Sequence, residues 1–179
     1  SVHLWSKIRA DFESDGLGTT EIRRLVEDDP KLQARVDEDQ CRIIAANDWQ
    51  TEHSISLDFN IHSLDNISTI EKLLRIRKSL KTEKLIIRIS GIDADNIKRI
   101  SSLETLQRAG LTLGLYGDEL GAINPVLLKN LPIDFIVVEF DYTRSAKSLK
   151  MAMPMLRSLQ KLCKENGITL IFKGIENHD

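Results

Sequence analysis

The sequence predicts an α/β domain built on a parallel sheet, either an incomplete β/α barrel or an open doubly wound sheet. Three observations point there. Short apolar runs rich in β-branched residues recur from residue 54 onward. The segments between them carry apolar residues at helical spacing. The regular alternation of the two implies right-handed βαβ units.

The first strand-like run is Ile55-Ser56-Leu57-Asp58-Phe59-Asn60-Ile61, followed by Leu85 to Ile89, Leu111 to Leu115, Phe135 to Phe140 and Ile168 to Phe172. Each is short and mostly β-branched or aromatic, as the strands of a buried parallel sheet should be. Ile67, Ile70, Leu73, Leu74 and Ile76 mark a helix, with Asp65 and Asn66 as candidate caps. Ile97, Ile100, Leu103 and Leu106 mark a second, which Gly110 can end. Leu120, Ile123, Leu127 and Leu128 begin a third. Leu149, Met153, Leu156, Leu159 and Cys163 form a fourth, closed by Asn166-Gly167. Pro154 lies in that stripe, either in the first turn of a helix starting near Met151 or as a kink in a longer one. Before residue 54, Ile22, Leu25 and Val26, then Leu32, Val36, Cys41, Ile43 and Ile44, suggest two helices broken near Asp29-Pro30. Val2 to Trp5 is a further short extended piece. Including it, six candidate strands are found, fewer than the eight of a closed barrel.

The 179 residues carry a formal charge of -2, with 41% hydrophobic and 29% charged residues. That balance gives no global attraction to nucleic acid or to an anionic membrane surface. No apolar run approaches the roughly 20 residues of a membrane span. The chain begins at Ser1 without an initiator Met or a signal peptide. It is expected to be a single domain, 1–179, of a longer cytoplasmic protein. Cys41 and Cys163 lack metal spacing and read as buried thiols. The acidic runs Glu27-Asp28-Asp29 and Asp37-Glu38-Asp39 read as solvated helix faces. Trp5 and Trp49 read as core residues.

Gly110-Leu111-Thr112-Leu113-Gly114-Leu115-Tyr116-Gly117-Asp118-Glu119-Leu120-Gly121, followed by Leu128-Lys129-Asn130-Leu131-Pro132-Ile133-Asp134-Phe135, is similar to the most recognisable stretch of the EAL domain family. There the pattern is G-V-x-L-A-L-D-D-F-G-T-G, then L-K-x-L-P-V-D-x-L-K-I-D. Gly167 to Glu176 resembles the family's G-x-x-V-V-A-E-G-V-E. Ser56 to Ile61 resembles its L-x-V-N-x-S strand, and Leu85 to Ser90 its L-V-L-E-I-T strand. The likeness runs from about residue 20 to the end and implies an EAL-type β/α barrel of the TIM kind, incomplete in this chain.

Active members of that family linearise cyclic-di-GMP with two divalent metals. Two hard cations need several carboxylate or carbonyl oxygens converging at the strand C-termini. The resemblance places those positions here. The Asp pair of D-D-F-G falls on Tyr116 and Gly117, and the Glu of L-E-I-T on Arg88. The Lys of K-I-D falls on Val137 and its Asp on Glu139. The first Glu of E-G-V-E falls on Lys173. The Glu of the E-A-L triplet itself falls on His3, in His3-Leu4-Trp5. Asn60, Glu139 and Glu176 are the retained polar candidates. Two cations about 4 Å apart repel strongly, and Arg88 and Lys173 would add to that repulsion. The resemblance therefore implies an EAL relative without catalytic residues, metal or cofactor. Its barrel mouth would be lined by Asn60, Arg88, Tyr116, Glu139, Lys173 and Glu176.

At that mouth Asn60 is expected to cap the next turn. Arg88 and Lys173 are expected to pair with Glu139 or Glu176, and Tyr116 to fill vacated space or stack on a base. Two functions follow from the resemblance. One is a regulatory or scaffolding domain that binds a protein partner or a second copy of itself. The alternative is a cyclic-di-GMP receptor that binds without hydrolysis, although Ile61-His62-Ser63-Leu64 is shorter than the family's ligand-contacting turn.

Overall fold

A computed structural model describes residues 5–7, 26, 29–46, 54–80, 84–92, 100–117, 128–139 and 146–173. Six parallel strands form one sheet: β1 (Trp5–Lys7), β2 (Ser54–Asn60), β3 (Leu85–Ser90), β4 (Leu111–Gly117), β5 (Phe135–Glu139) and β6 (Thr169–Lys173). Among the described residues four helices accompany them: α1 (Pro30–Ala46), α2 (Ile67–Ser79), α3 (Ile100–Arg108) and α4 (Ala146–Glu165). A 3-10 turn spans Ile61–Asp65.

The spatial order of the strands is their chain order, with every neighbouring pair parallel. A doubly wound sheet reverses direction at a switch point. Right-handed crossovers that never reverse keep all the helices on one face and curl the sheet, which is how a barrel is built. The strand order therefore selects the partial barrel over the open sheet.

Sequence and structure agree closely on the boundaries of the middle strands. β1 differs: its described part is Trp5–Lys7, lying beside Ser54–Ser56 at the entry half of β2. The piece from Val2 to Leu4 lies outside the described residues, as do most of the segment around Ile22 and the stripe from Leu120 to Leu127.

The helix ends follow local chemistry. Asp29 caps α1, its Oδ1 accepting from the backbone N–H of Lys31 at 2.9 Å and of Leu32 at 3.3 Å. Pro30 takes the first helical position, where no N–H is needed. Asn66, rather than Asp65, caps α2 by accepting from the Ser68 N–H at 3.0 Å. Gly110 follows α3 with φ at 84°, a conformation open to glycine and strained for other residues. α4 extends from Ala146 through Pro154, the longer of the two alternatives. Pro154 offers no N–H to the carbonyl of Lys150, so the ladder is interrupted there.

From β2 to β6 the sheet face toward the helices is apolar. Ile55, Leu57 and Phe59 of β2, Leu85, Ile87 and Ile89 of β3, and Leu111 and Leu113 of β4 are at most 2% exposed. They pack with Cys41 and Ile44 of α1, Leu73 and Ile76 of α2, and Leu103 and Leu106 of α3. Each such burial contributes about 1.5–3 kcal/mol, and the sum holds the sheet to its helical layer. Both cysteines are free and buried as expected. Burial pushes the Cys41 thiol up to about 12, helped by the nearby Asp37 charge, so it is inert at neutral pH.

The other sheet face carries a second, smaller cluster: Ile86, Phe135 and Val137, with Tyr116 and Ile171 packed against it. Gly114 sits beneath the Phe135 ring. A Cβ at Gly114 would lie 2.2 Å from ring carbons of Phe135, so the bare backbone is what admits the ring. At the start of β5, Asp134 ties three strands together. Its Oδ2 accepts from the Leu113 N–H at 2.7 Å, its N–H donates to the Leu113 carbonyl at 2.8 Å, and its carbonyl accepts from Thr169 at 2.9 Å.

Candidate functional site

Because all six strands are parallel, their C-terminal ends share one rim. β2 ends at Asn60, β3 at Ser90, β4 at Gly117, β5 at Glu139 and β6 at Lys173. The residues singled out in the sequence, Asn60, Arg88, Tyr116, Glu139 and Lys173, therefore come to the same end of the sheet. Glu176 and His3 lie outside the described residues. Glu139 and Lys173 are direct register partners on β5 and β6, and their side chains are likewise outside the description.

At the centre of this rim Arg88 is held by a residue the sequence reading assigned no role. Asp58 of β2 stands directly opposite Arg88 of β3 in the sheet register. Its carboxylate accepts from Arg88 Nε at 2.6 Å and from Nη2 at 2.7 Å, a two-point fork. The Arg88 side chain is 8% exposed and that of Asp58 44%. The Tyr116 ring covers the guanidinium, with 5.1 Å from Arg88 Cζ to the ring centroid. A cation under an aromatic face gains from the ring quadrupole, most of all where water is excluded. Arg88 thus meets Asp58 on one side and Tyr116 on another, and the apolar group of Ile86, Phe135 and Val137 lies on the same sheet face.

Asn60 does what a turn residue does. Its side chain accepts from the His62 N–H at 3.0 Å and caps the 3-10 turn. A second carboxylate, this one buried, supports it from behind. Asp37 of α1 is fully buried, although the run Asp37-Glu38-Asp39 reads as a solvated face in the sequence. Oδ2 of Asp37 accepts from the Asn60 N–H at 3.0 Å and the Ser63 hydroxyl at 2.5 Å; Oδ1 accepts from Gln33 at 2.6 Å and Gln40 at 3.4 Å. Gln40 also donates to the Asp58 carbonyl at 3.2 Å. α1 thereby fixes the backbone of both Asp58 and Asn60. Burial pushes the Asp37 carboxyl up to about 6, against the opposing pull of its hydrogen bonds from Ser63, Asn60 and Gln33.

Two signals in the sequence pointed to these carboxylates. Asp37, Cys41 and Ile44 are spaced by four and three, so Asp37 continues the buried stripe of α1. Asp58 has the same strand parity as Asn60 and so faces the same side of β2. Its pairing with Arg88 needs the β2–β3 register, which sequence periodicity does not supply.

The EAL domain family matches residues 9–179. Among solved structures, the PaMucR phosphodiesterase in complex with c-di-GMP is similar at a TM-score of 0.68 and 15% identity, covering 89% of this chain and 73% of that one. An EAL domain protein from Listeria monocytogenes gives 0.58 and 17%, covering 88% of this chain and 62% of its own, so the present sequence spans under two thirds of its length. The EAL domain of DcpA from Mycobacterium smegmatis gives 0.57 and 18%, covering 87% and 71%. No curated protein matches the sequence. At these identities the structures show a shared fold. No helix among the described residues is long and apolar enough to cross a membrane.

Proposed function

The chain belongs to the EAL domain family, and we propose that it is a non-catalytic member acting as a regulatory or scaffolding domain through protein–protein contact. The observation that carries this reading is the Asp58–Arg88–Tyr116 arrangement. By the motif match, the family's metal-binding Glu of β3 is Arg88 in this chain. A guanidinium there, already neutralised by Asp58 and covered by Tyr116, occupies space that a cation would need. A divalent ion placed beside it would gain no ligand from Arg88 and would have to compete with the guanidinium for the Asp58 carboxylate. The catalytic Lys position is Val137, 3% exposed and packed with Phe135 and Ile86. Restoring one carboxylate would not restore the site.

The same arrangement weighs against the receptor alternative. A free arginine at the mouth would suit a phosphate, but this one spends two donors on Asp58, and Tyr116 spends a face on Arg88. Calorimetric titration with cyclic-di-GMP, with and without Mn²⁺, tests the reading. It predicts no binding heat at micromolar ligand. Submicromolar binding without turnover would replace it with the receptor reading.

A further inference from the structure

Away from the rim, the outer surface holds a groove of about 530 Å³ between α1 and α2. Its walls carry four cations, Arg35 and Arg42 from α1 and Lys72 and Arg75 from α2, against two carboxylates, Glu38 and Asp39. The chain as a whole is net negative, so this is a local excess of positive charge. Both carboxylates are already used: Glu38 pairs with Lys72 across the groove, and Asp39 with Arg42 at 3.1 Å. Among the described residues the ion pair of Arg75 is a long contact of 3.6 Å to Glu71. Among the described residues Arg35 has no ion pair. The floor is Ile76 and Cys41, both buried.

The spacing of the cations selects the kind of occupant. Arg35 stands on the α1 wall and Arg75 on the α2 wall, and Arg42 lies two turns, about 10 Å along the axis, beyond Arg35. They match carboxylates distributed along a chain, each able to take a guanidinium fork.

Resting on the reading of this domain as a protein-interaction module, we infer that the α1–α2 groove docks an acidic segment of a partner protein. Arg35 and Arg75, one on each wall, take its carboxylates. The Lys72–Glu38 pair joins the two walls.

The test uses the whole chain and a short fluorescent peptide of Glu and Asp, followed by anisotropy. Binding is expected, weakening as salt rises. The double variant Arg35→Glu/Arg75→Glu should weaken it at least about tenfold, because it sets like charges against the probe. The control Arg157→Glu/Lys161→Glu, on exposed positions of α4, makes the same change in net charge and should leave binding within about twofold. Circular dichroism and a thermal midpoint confirm that both variants fold. Equal loss in both variants would show a non-specific charge effect and overturn the inference, as would absence of peptide binding. Cyclic-di-GMP turnover is measured on the same samples. Turnover by an otherwise groove-binding protein would defeat the non-catalytic reading and leave the groove standing.

Discussion

Replacing Asp58 with Asn should cost far more than replacing its partner. Asn keeps the shape of Asp but removes the charge that neutralises Arg88. The Arg88 side chain is 8% exposed, so its guanidinium would be left uncompensated beside Tyr116. Breaking a fully buried ion pair costs about 3–5 kcal/mol, while an exposed pair contributes at most about 1 kcal/mol. Here one partner is buried and the other is 44% exposed. The expected loss for Asp58→Asn is therefore about 2–3 kcal/mol. The converse substitution, Arg88→Met, leaves a carboxylate that water can reach and fills the vacated space with a flexible apolar chain. It should cost about 1 kcal/mol or less. Urea unfolding at neutral pH measures both, read as a shift in midpoint at constant slope. For a chain of this size the thermal midpoint of Asp58→Asn should fall by about 4–12 °C. The reasoning fails if Asp58→Asn stays within about 0.5 kcal/mol of the parent. It fails equally if Arg88→Met is the more damaging change.

Two further outcomes follow from the same structure. The Asp37 carboxyl titrates near 6 in the folded chain against about 3.9 unfolded. A raised folded value means the folded state holds the proton more tightly, so the contribution of Asp37 is fully present below about pH 4 and is lost as pH rises through about 6. Stability measured by urea at pH 4.5 and pH 7 should show this fall, at most about 3 kcal/mol, and Asp37→Asn should flatten it; an unchanged pH slope in the variant would place the proton uptake elsewhere. Gly114→Ala would drive a methyl into the Phe135 ring and should cost about 1–3 kcal/mol, and the pair Gly114→Ala/Phe135→Leu should recover most of that loss in a double-mutant cycle, whereas additive losses would mean that the ring is not what excludes the methyl.

Much of the fold was legible because it depends on local patterns. The strand runs from Ile55, Leu85, Leu111, Phe135 and Ile168 sit in the observed strands or at their borders, since a parallel sheet buried on both faces writes itself as continuous apolar runs. Asn66, Pro30 and Gly110 mark helix ends because their backbone chemistry suits no other place as well. The choice between barrel and open sheet was not local. It needs strand order, which periodicity does not encode, and only the family motif indicated it. The stripe on α1 was drawn too wide. Leu32 and Ile43 are 38% and 43% exposed. Each lies about 180–200° around the helix from Cys41, so neither can share its face. The fully buried Asp37 reads as solvated for the complementary reason: a carboxylate ordinarily seeks water, while its four donors come from α1, β2 and the 3-10 turn together. The rim ion pair was half visible. Arg88 stood out as a charge where the family has an acid, but its partner was sought on Glu139 and Glu176 rather than on Asp58, one strand away in register.

The central claim is that this EAL domain does not turn over cyclic-di-GMP. The direct measurement is incubation of the purified chain with cyclic-di-GMP and Mn²⁺ or Mg²⁺, followed by chromatographic separation of the linear dinucleotide. On the proposed reading no linear product rises above a protein-free control at any metal concentration, because by the motif match Arg88 stands where the family has a metal ligand and Val137 where it has the catalytic Lys. Linear product that rises in proportion to protein concentration and disappears with chelator would contradict it.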